Sequence, residues 1–266
     1  MKTTLTLLFI LLLTACEERA TDAPVYQDPS LVNDYWPLQI GNFWIYEYYQ
    51  FNADETIIES SVRQDSLVVV AERSKNGFSG YELINFAGNG SKNDTILVIS
   101  EKDSLYLYAD EYYNKIFDYD VGWIKILDIR DLNWLTVSKD NFYNTIKIED
   151  EIYDTFSDIR IYTSYDGTDK YSKGDLDLRT YYFSETYDAK SKISEAYQIE
   201  GQPVDLEVYN RRISARYFAD SVGLAINVIR PAFDIIRHYD DGIMFKEEVD
   251  SLPGSVSRLL RYKIAE

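Results

Sequence analysis

Cysteine is almost missing from this chain: Cys16 is the only one in 266 residues. That excludes a disulfide framework and a thiolate metal site. Histidine is equally scarce. His238, in IIRHYDDG, is alone, so a zinc site lacks its ligands, and no cysteine nucleophile or Gly-x-Ser-x-Gly elbow is there for it to activate. Asp240 and Asp241 beside it precede a turn glycine and read as solvated. Six prolines and twelve glycines are too few for a fibrous or low-complexity chain. Positive charge is short as well, 27 basic residues against 45 acidic, for a net charge of −18. So acidic a chain is repelled by nucleic acid and by anionic headgroups, which excludes nucleic acid as a partner.

Long apolar runs are lacking too, with one exception at the start, MKTTLTLLFILLLTAC. Leu5 to Leu13 is too short to span a bilayer, which needs about 20 residues, and has the length of a signal-peptide core behind the positive Lys2. Leu13-Thr14-Ala15-Cys16 resembles the lipobox of bacterial lipoproteins. The resemblance implies that residues 1–15 are a signal peptide and that Cys16 is acylated on sulfur and becomes the new N-terminus. The alternative is a secreted protein cut near Ala15 with a free thiol, a liability in an oxidising compartment. Loss of Lys2 with the signal brings the charge to −19. Two or more acyl chains hold a protein stably on a membrane. Glu17 and Glu18 resemble surface-export signals of Bacteroidetes lipoproteins, and fit an ordinary solvated tether equally well. Residues 16–34, polar and with Pro24 and Pro29, read as lipidated cysteine and flexible tether. Residues 35–266 read as a single β-rich domain.

Aromatics are what the chain has in excess: 24 Tyr, 12 Phe and 4 Trp. Rings suit a half-buried pleated surface; they would also serve as a platform for a sugar or an amphipathic ligand. NFWIYEYYQF places Trp44, Tyr46 and Tyr48 on one face and Phe43, Ile45, Glu47 and Tyr49 on the other, as in a central strand or the first stave of a barrel. Trp44, Tyr46 and Tyr48 are candidates either for core or for a ligand face. SLVVVAE, GYELINF, TILVIS and SLYLYA follow, bounded by KNG, GNGSKND and EKD. DEYYNKIF and DIRDLNWLTV each fit a short helix. Strands resume with DIRIYTSY, DLEVYNRR, GLAINVIRP, DIIRHY, IMFKEEV and LLRYKI. Nowhere do strands alternate with long amphipathic helices, so a parallel α/β fold is disfavoured. The expectation is a mainly β chain, an antiparallel meander forming a barrel or curled half-barrel, lipocalin-like or lipoprotein-carrier-like, with few short helices.

Four stretches in order, YWPLQIGNFWIYEY, DTFSDIRIY, RYFADSVGLAINVIR and LLRYKI, resemble motifs of uncharacterised Bacteroidetes-type β-rich outer-membrane lipoproteins: a PL-x-x-GN-x-W-x-Y opening, a G-x-F-x-D strand start, a YFA-x-x-VGL strand and a closing strand. Asp154 and Thr155 depart from the small pair of the second motif. The resemblance implies a β-rich envelope lipoprotein; it carries over no catalytic residues and no cofactor. Locally, Pro37 fits just before a strand, Gly41 and Asn42 suit a tight turn, and Gly223 suits a bulge or positive φ before Leu224, Ile226 and Val228 pack inward.

Chemistry-bearing constellations are sparse. No Gly-rich phosphate loop follows a strand. In DGTDKYSKGDLD, Asp166, Asp169, Asp175 and Asp177 would offer hard oxygens to calcium, but the spacing is not that of an EF-hand and Lys170 and Lys173 intervene, so a polar hairpin loop is the plainer reading. Three functions follow, in order of preference: a non-enzymatic, lipid-anchored outer-membrane module binding an apolar ligand, glycan or peptide; a structural or accessory lipoprotein docked on an outer-membrane complex; and a polysaccharide hydrolase. A cavity in the barrel favours the first, a filled core with an exposed patch the second, and two convergent carboxylates the third.

Overall fold

Gly41 turns the chain into its first strand with φ +93°, a conformation glycine adopts without steric cost. Its N–H donates to Val69 O at 2.9 Å, and the fully buried Asn42 donates from Nδ2 to Pro37 O at 2.6 Å. The Pro37–Asn42 turn is thereby pinned to the sheet it opens. The computed structural model describes residues 36–101, 104–108, 123–128, 133–148, 151–199 and 202–264. The expected signal peptide, Cys16, the expected tether and DEYYNKIF lie outside the described residues.

The described residues form fourteen strands: β1 (Phe43–Phe51), β2 (Ile57–Lys75), β3 (Phe78–Phe86), β4 (Lys92–Glu101), β5 (Ser104–Tyr108), β6 (Trp123–Asp128), β7 (Asn133–Ile148), β8 (Glu151–Lys173), β9 (Leu176–Ile199), β10 (Gln202–Ala219), β11 (Gly223–Ile229), β12 (Ala232–Asp240), β13 (Ile243–Leu252) and β14 (Gly254–Lys263). The sheet runs β6-β5-β4-β3-β2-β1-β14-β11-β10-β9-β8-β7, antiparallel throughout, and curls until β6 lies beside β7 and β8 in a nearly closed barrel. The expected class is therefore the observed one, and β1 is central, between β2 and β14.

The expectation of few short helices needs correction: there is no helix among the described residues. Of DIRDLNWLTV, Asp128 ends β6 and Asn133 to Val137 begin β7, paired to β8 at Asn133↔Ser164 and Trp134↔Thr163. Trp, Thr and Val prefer a pleated surface, and a long partner strand was available to take them.

The DGTDKYSKGDLD stretch is also more regular than a polar loop. It is the tip of a hairpin, with only Gly174 and Asp175 between the paired Lys173 and Leu176. Buried Tyr171, in its middle, donates its hydroxyl to Leu259 O and so fastens the tip to β14. Burial pushes the Tyr171 phenol up to about 12. In the unfolded chain a tyrosine ionises near 10, so above that pH the unfolded state loses its proton first and stability falls as pH rises from about 10 to about 12. Melting temperatures across this window should decline, and Tyr171→Phe should show a shallower decline; an equal slope in both proteins would refute the assignment.

The core fills one part of the barrel interior. Trp44 and Leu83 are fully buried there with Leu105, Leu127 and Leu259, beside Tyr181, Phe183 and Phe218. Trp36 stands edge-on to Trp44 (centroids 5.7 Å, 75°) and to Phe218 (6.0 Å, 64°). Gly223 has φ +107°, as its motif suggested, and a Cβ there would lie 2.4 Å from Trp36 Cδ1, so glycine is required by both backbone and space. A bulge in the β10–β11 ladder between Tyr217 and Phe218 then shifts the phase of β11. Asn227 and Ile229 oppose Arg216 and Ser214, while Ile226 and Val228 oppose Tyr217 and Ala215. Of the three residues expected to pack inward, Leu224 and Ile226 lie against the core, and Val228 is half-buried.

Candidate functional site

Beyond the aromatic core the same interior face changes character. Along β9, Tyr181 and Phe183 of the core are followed by Glu185 and Tyr187. Along β10, read backwards, Phe218 is followed by Arg216, Ser214 and Arg212, which oppose Phe183, Glu185 and Tyr187 in register. Asn227 and Ile229 of β11 and the buried Ile161 of β8 complete a recess of about 220 Å³. Sites for drug-sized ligands run to roughly 300–1,000 Å³, so this one suits a small molecule or one end of a longer one.

Two arginines enter the recess with one acid. Arg216 grips Glu185 with both terminal nitrogens, Nη1 to Oε2 at 3.1 Å and Nη2 to Oε1 at 3.3 Å. Both side chains are largely buried, which strengthens the pair's hydrogen bonds and fixes their geometry. Arg212, exposed at the rim, has no ion-pair partner among the described residues. Ser214 Oγ and Asn227 Oδ1 are buried in the wall with no hydrogen-bond partner among the described residues. A buried polar group left unsatisfied costs about 1–3 kcal/mol, so the wall gains when a hydroxyl or other polar group meets them.

The aromatic trio of β1 is elsewhere. Trp44 and Tyr46 are inside the core; the Trp44 indole donates to Val222 O at 2.5 Å and the Tyr46 hydroxyl to Leu224 O at 2.9 Å. Burial pushes the Tyr46 phenol far up. Tyr48 is half-buried, with the Arg63 guanidinium 3.8 Å from its ring centroid. None of the three lines the recess.

The aspartates of the calcium candidate are spread along the hairpin. Asp177 accepts from Ser172 and pairs with Lys170 at 2.9 Å, Asp166 accepts from Ser164 at 2.9 Å, Asp169 opposes Thr180, and Asp175 is in the turn. Among the described residues no three His, Cys, Asp or Glu side chains are grouped to hold a metal ion. His238 is buried on β12, with Nε2 2.9 Å from Glu248 Oε1 and its ring 6.0 Å from that of Phe245. The Lys246 ammonium beside Glu248 holds that carboxyl below its usual range.

Fold and recess together define a nearly closed antiparallel barrel with an aromatic core in one part and a small, mixed-polarity recess in another. No protein-family model matches the sequence, and no curated protein matches it. Two solved structures are similar. One is a candidate lipoprotein of Parabacteroides distasonis ATCC 8503, with 11% identity, a TM-score of 0.37, and 87% of this chain and 99% of that one covered. The other is a candidate exported protein with a YmcC-like fold from Bacteroides fragilis NCTC 9343, with 10% identity, a TM-score of 0.38 and the same coverage.

Proposed function

We propose that the chain is a lipid-anchored binding module of the cell envelope, held in the outer membrane by acylated Cys16, which takes a small ligand in its barrel without transforming it. The observation that carries the reading is the recess of about 220 Å³, which brings together two buried polar atoms and, at its rim, a guanidinium with no ion-pair partner among the described residues. Its lining has one carboxylate, already ion-paired, and no histidine, so it offers no acid–base pair for hydrolysis. A glycan unit or the end of a peptide has the size and mixed polarity that the lining asks for.

The test is native mass spectrometry of the protein extracted from its own membranes. Wild type should carry a small co-purifying mass, and Ser214→Phe, which fills the recess, should lose it while melting at a similar temperature. A wild type that carries nothing, or a variant that keeps the mass, overturns the reading.

One observation favours the second function, an accessory subunit. Among the described residues β13 pairs with β12 alone, and it exposes Ile243, Met244 and Phe245 at its start. An open strand edge beside apolar side chains is a template for another protein. A co-purifying protein lost from Phe245→Asp, with the recess empty, would support that function instead.

A further inference from the structure

We infer that the recess selects a small hydroxylated carboxylate, a hydroxy acid or sugar acid, with Arg212 as the residue that receives its anionic group. This deepens the reading of the recess as a ligand site and rests on it. The chain as a whole has a charge of −18, yet the recess gathers two guanidinium groups against a single carboxylate. The sign of the charge is reversed locally, and that reversal needs a reason.

Arg216 and Glu185 neutralise one another in a two-pronged pair, which leaves Arg212 as the charge available to a ligand. A planar guanidinium matches a carboxylate edge to edge with two parallel hydrogen bonds, so Arg212 at the rim can orient an anionic group whose remainder enters the recess. An anion alone does not satisfy the site. Asn227 Oδ1 is an acceptor and needs a donor, and Ser214 Oγ takes either role. A hydroxyl supplies both. Arg212 and Ser214 are one pleat apart on β10, about 7 Å at roughly 3.4 Å per residue, so one compact molecule can meet both. Ile161 and Ile229 give its carbon skeleton an apolar wall.

The probes are D-glucuronate, D-glucose and cyclohexanecarboxylate, titrated calorimetrically into the full chain purified in detergent. Glucuronate should bind about tenfold or more tightly than either of the others, since each lacks one of the two recognised groups. Arg212→Gln should abolish the preference for glucuronate over glucose without lowering the melting temperature, and Arg212→Lys should restore part of it. Glucose binding as tightly as glucuronate, with both lost in Ser214→Phe, would overturn the carboxylate assignment and leave the recess a ligand site. Glucuronate binding that survives Ser214→Phe would overturn both. Failure of all three probes at millimolar concentration, where the native protein still carries a co-purifying mass, would overturn the assignment alone.

Discussion

Replacing Trp44 with alanine should cost about 3–5 kcal/mol of stability, the range for removing a large buried aromatic. Three losses add up there. The indole is completely buried, so its whole surface returns to water in the comparison and a cavity remains in a sheet held on both sides by β2 and β14. Trp36 loses the edge-to-face partner that stands 5.7 Å away. Val222 O loses the donor at 2.5 Å that satisfies it across a sequence separation of 178 residues. For a domain of this size each kcal/mol moves the melting point by roughly 2–4 °C, so calorimetry resolves the change easily. Trp44→Phe, which keeps a ring but not the N–H, should fall between. A Trp44→Ala protein that melts with wild type would show that β1 is not the spine of this core.

Cys16→Ser should move the protein from the membrane fraction to the soluble fraction, or leave it as an unprocessed precursor. The motivation is the sequence Leu13-Thr14-Ala15-Cys16 behind an apolar run too short to span a bilayer. Serine has no thiol to be alkylated, so on the lipobox reading the lipid finds no attachment and nothing tethers the N-terminus to the membrane. Fractionation followed by intact mass measurement separates the cases. A mutant that sediments with the membrane after alkaline washing, at the mass of the cleaved chain, would show that something other than Cys16 holds it there.

How much of this was legible in the sequence depended on which signal each residue gave. The turn at Gly41-Asn42, the faces of β1 and the need for glycine at 223 are local demands of backbone geometry, and they could be read without the fold. The recess could not. In RRISARYF the residues Arg212, Ser214 and Arg216 alternate with Ile213, Ala215 and Tyr217, and ordinary patterning turns the polar set outward. The structure turns it inward, because Phe218 continues that same face into the core. A polar series ending in a large aromatic was the available hint. Asn227 was hidden by a different cause, the bulge opposite Tyr217 and Phe218, whose phase shift leaves no mark in composition. The helix expected near Trp134 failed because short apolar runs are ambiguous until their partner strand is known.

The strand that sits at the centre of the sheet has a neighbour made last. Phe43 pairs with Lys263, 220 positions further on, so the join between β1 and β14 waits for nearly the whole chain. The strands on either side are mostly hairpins that close on their nearest sequence neighbours. Two wings therefore form early by local pairing, and the final strand zips them together. Until it arrives, the open side of β1 is a row of unpaired amides beside Trp44 and Tyr46, the kind of edge on which chains aggregate. Such long-range closure also slows folding, because the loop entropy is lost before the contact is gained. A chain synthesised from its N-terminus is thus vulnerable until β14 has been made, and β14 acts as the latch that ends the danger.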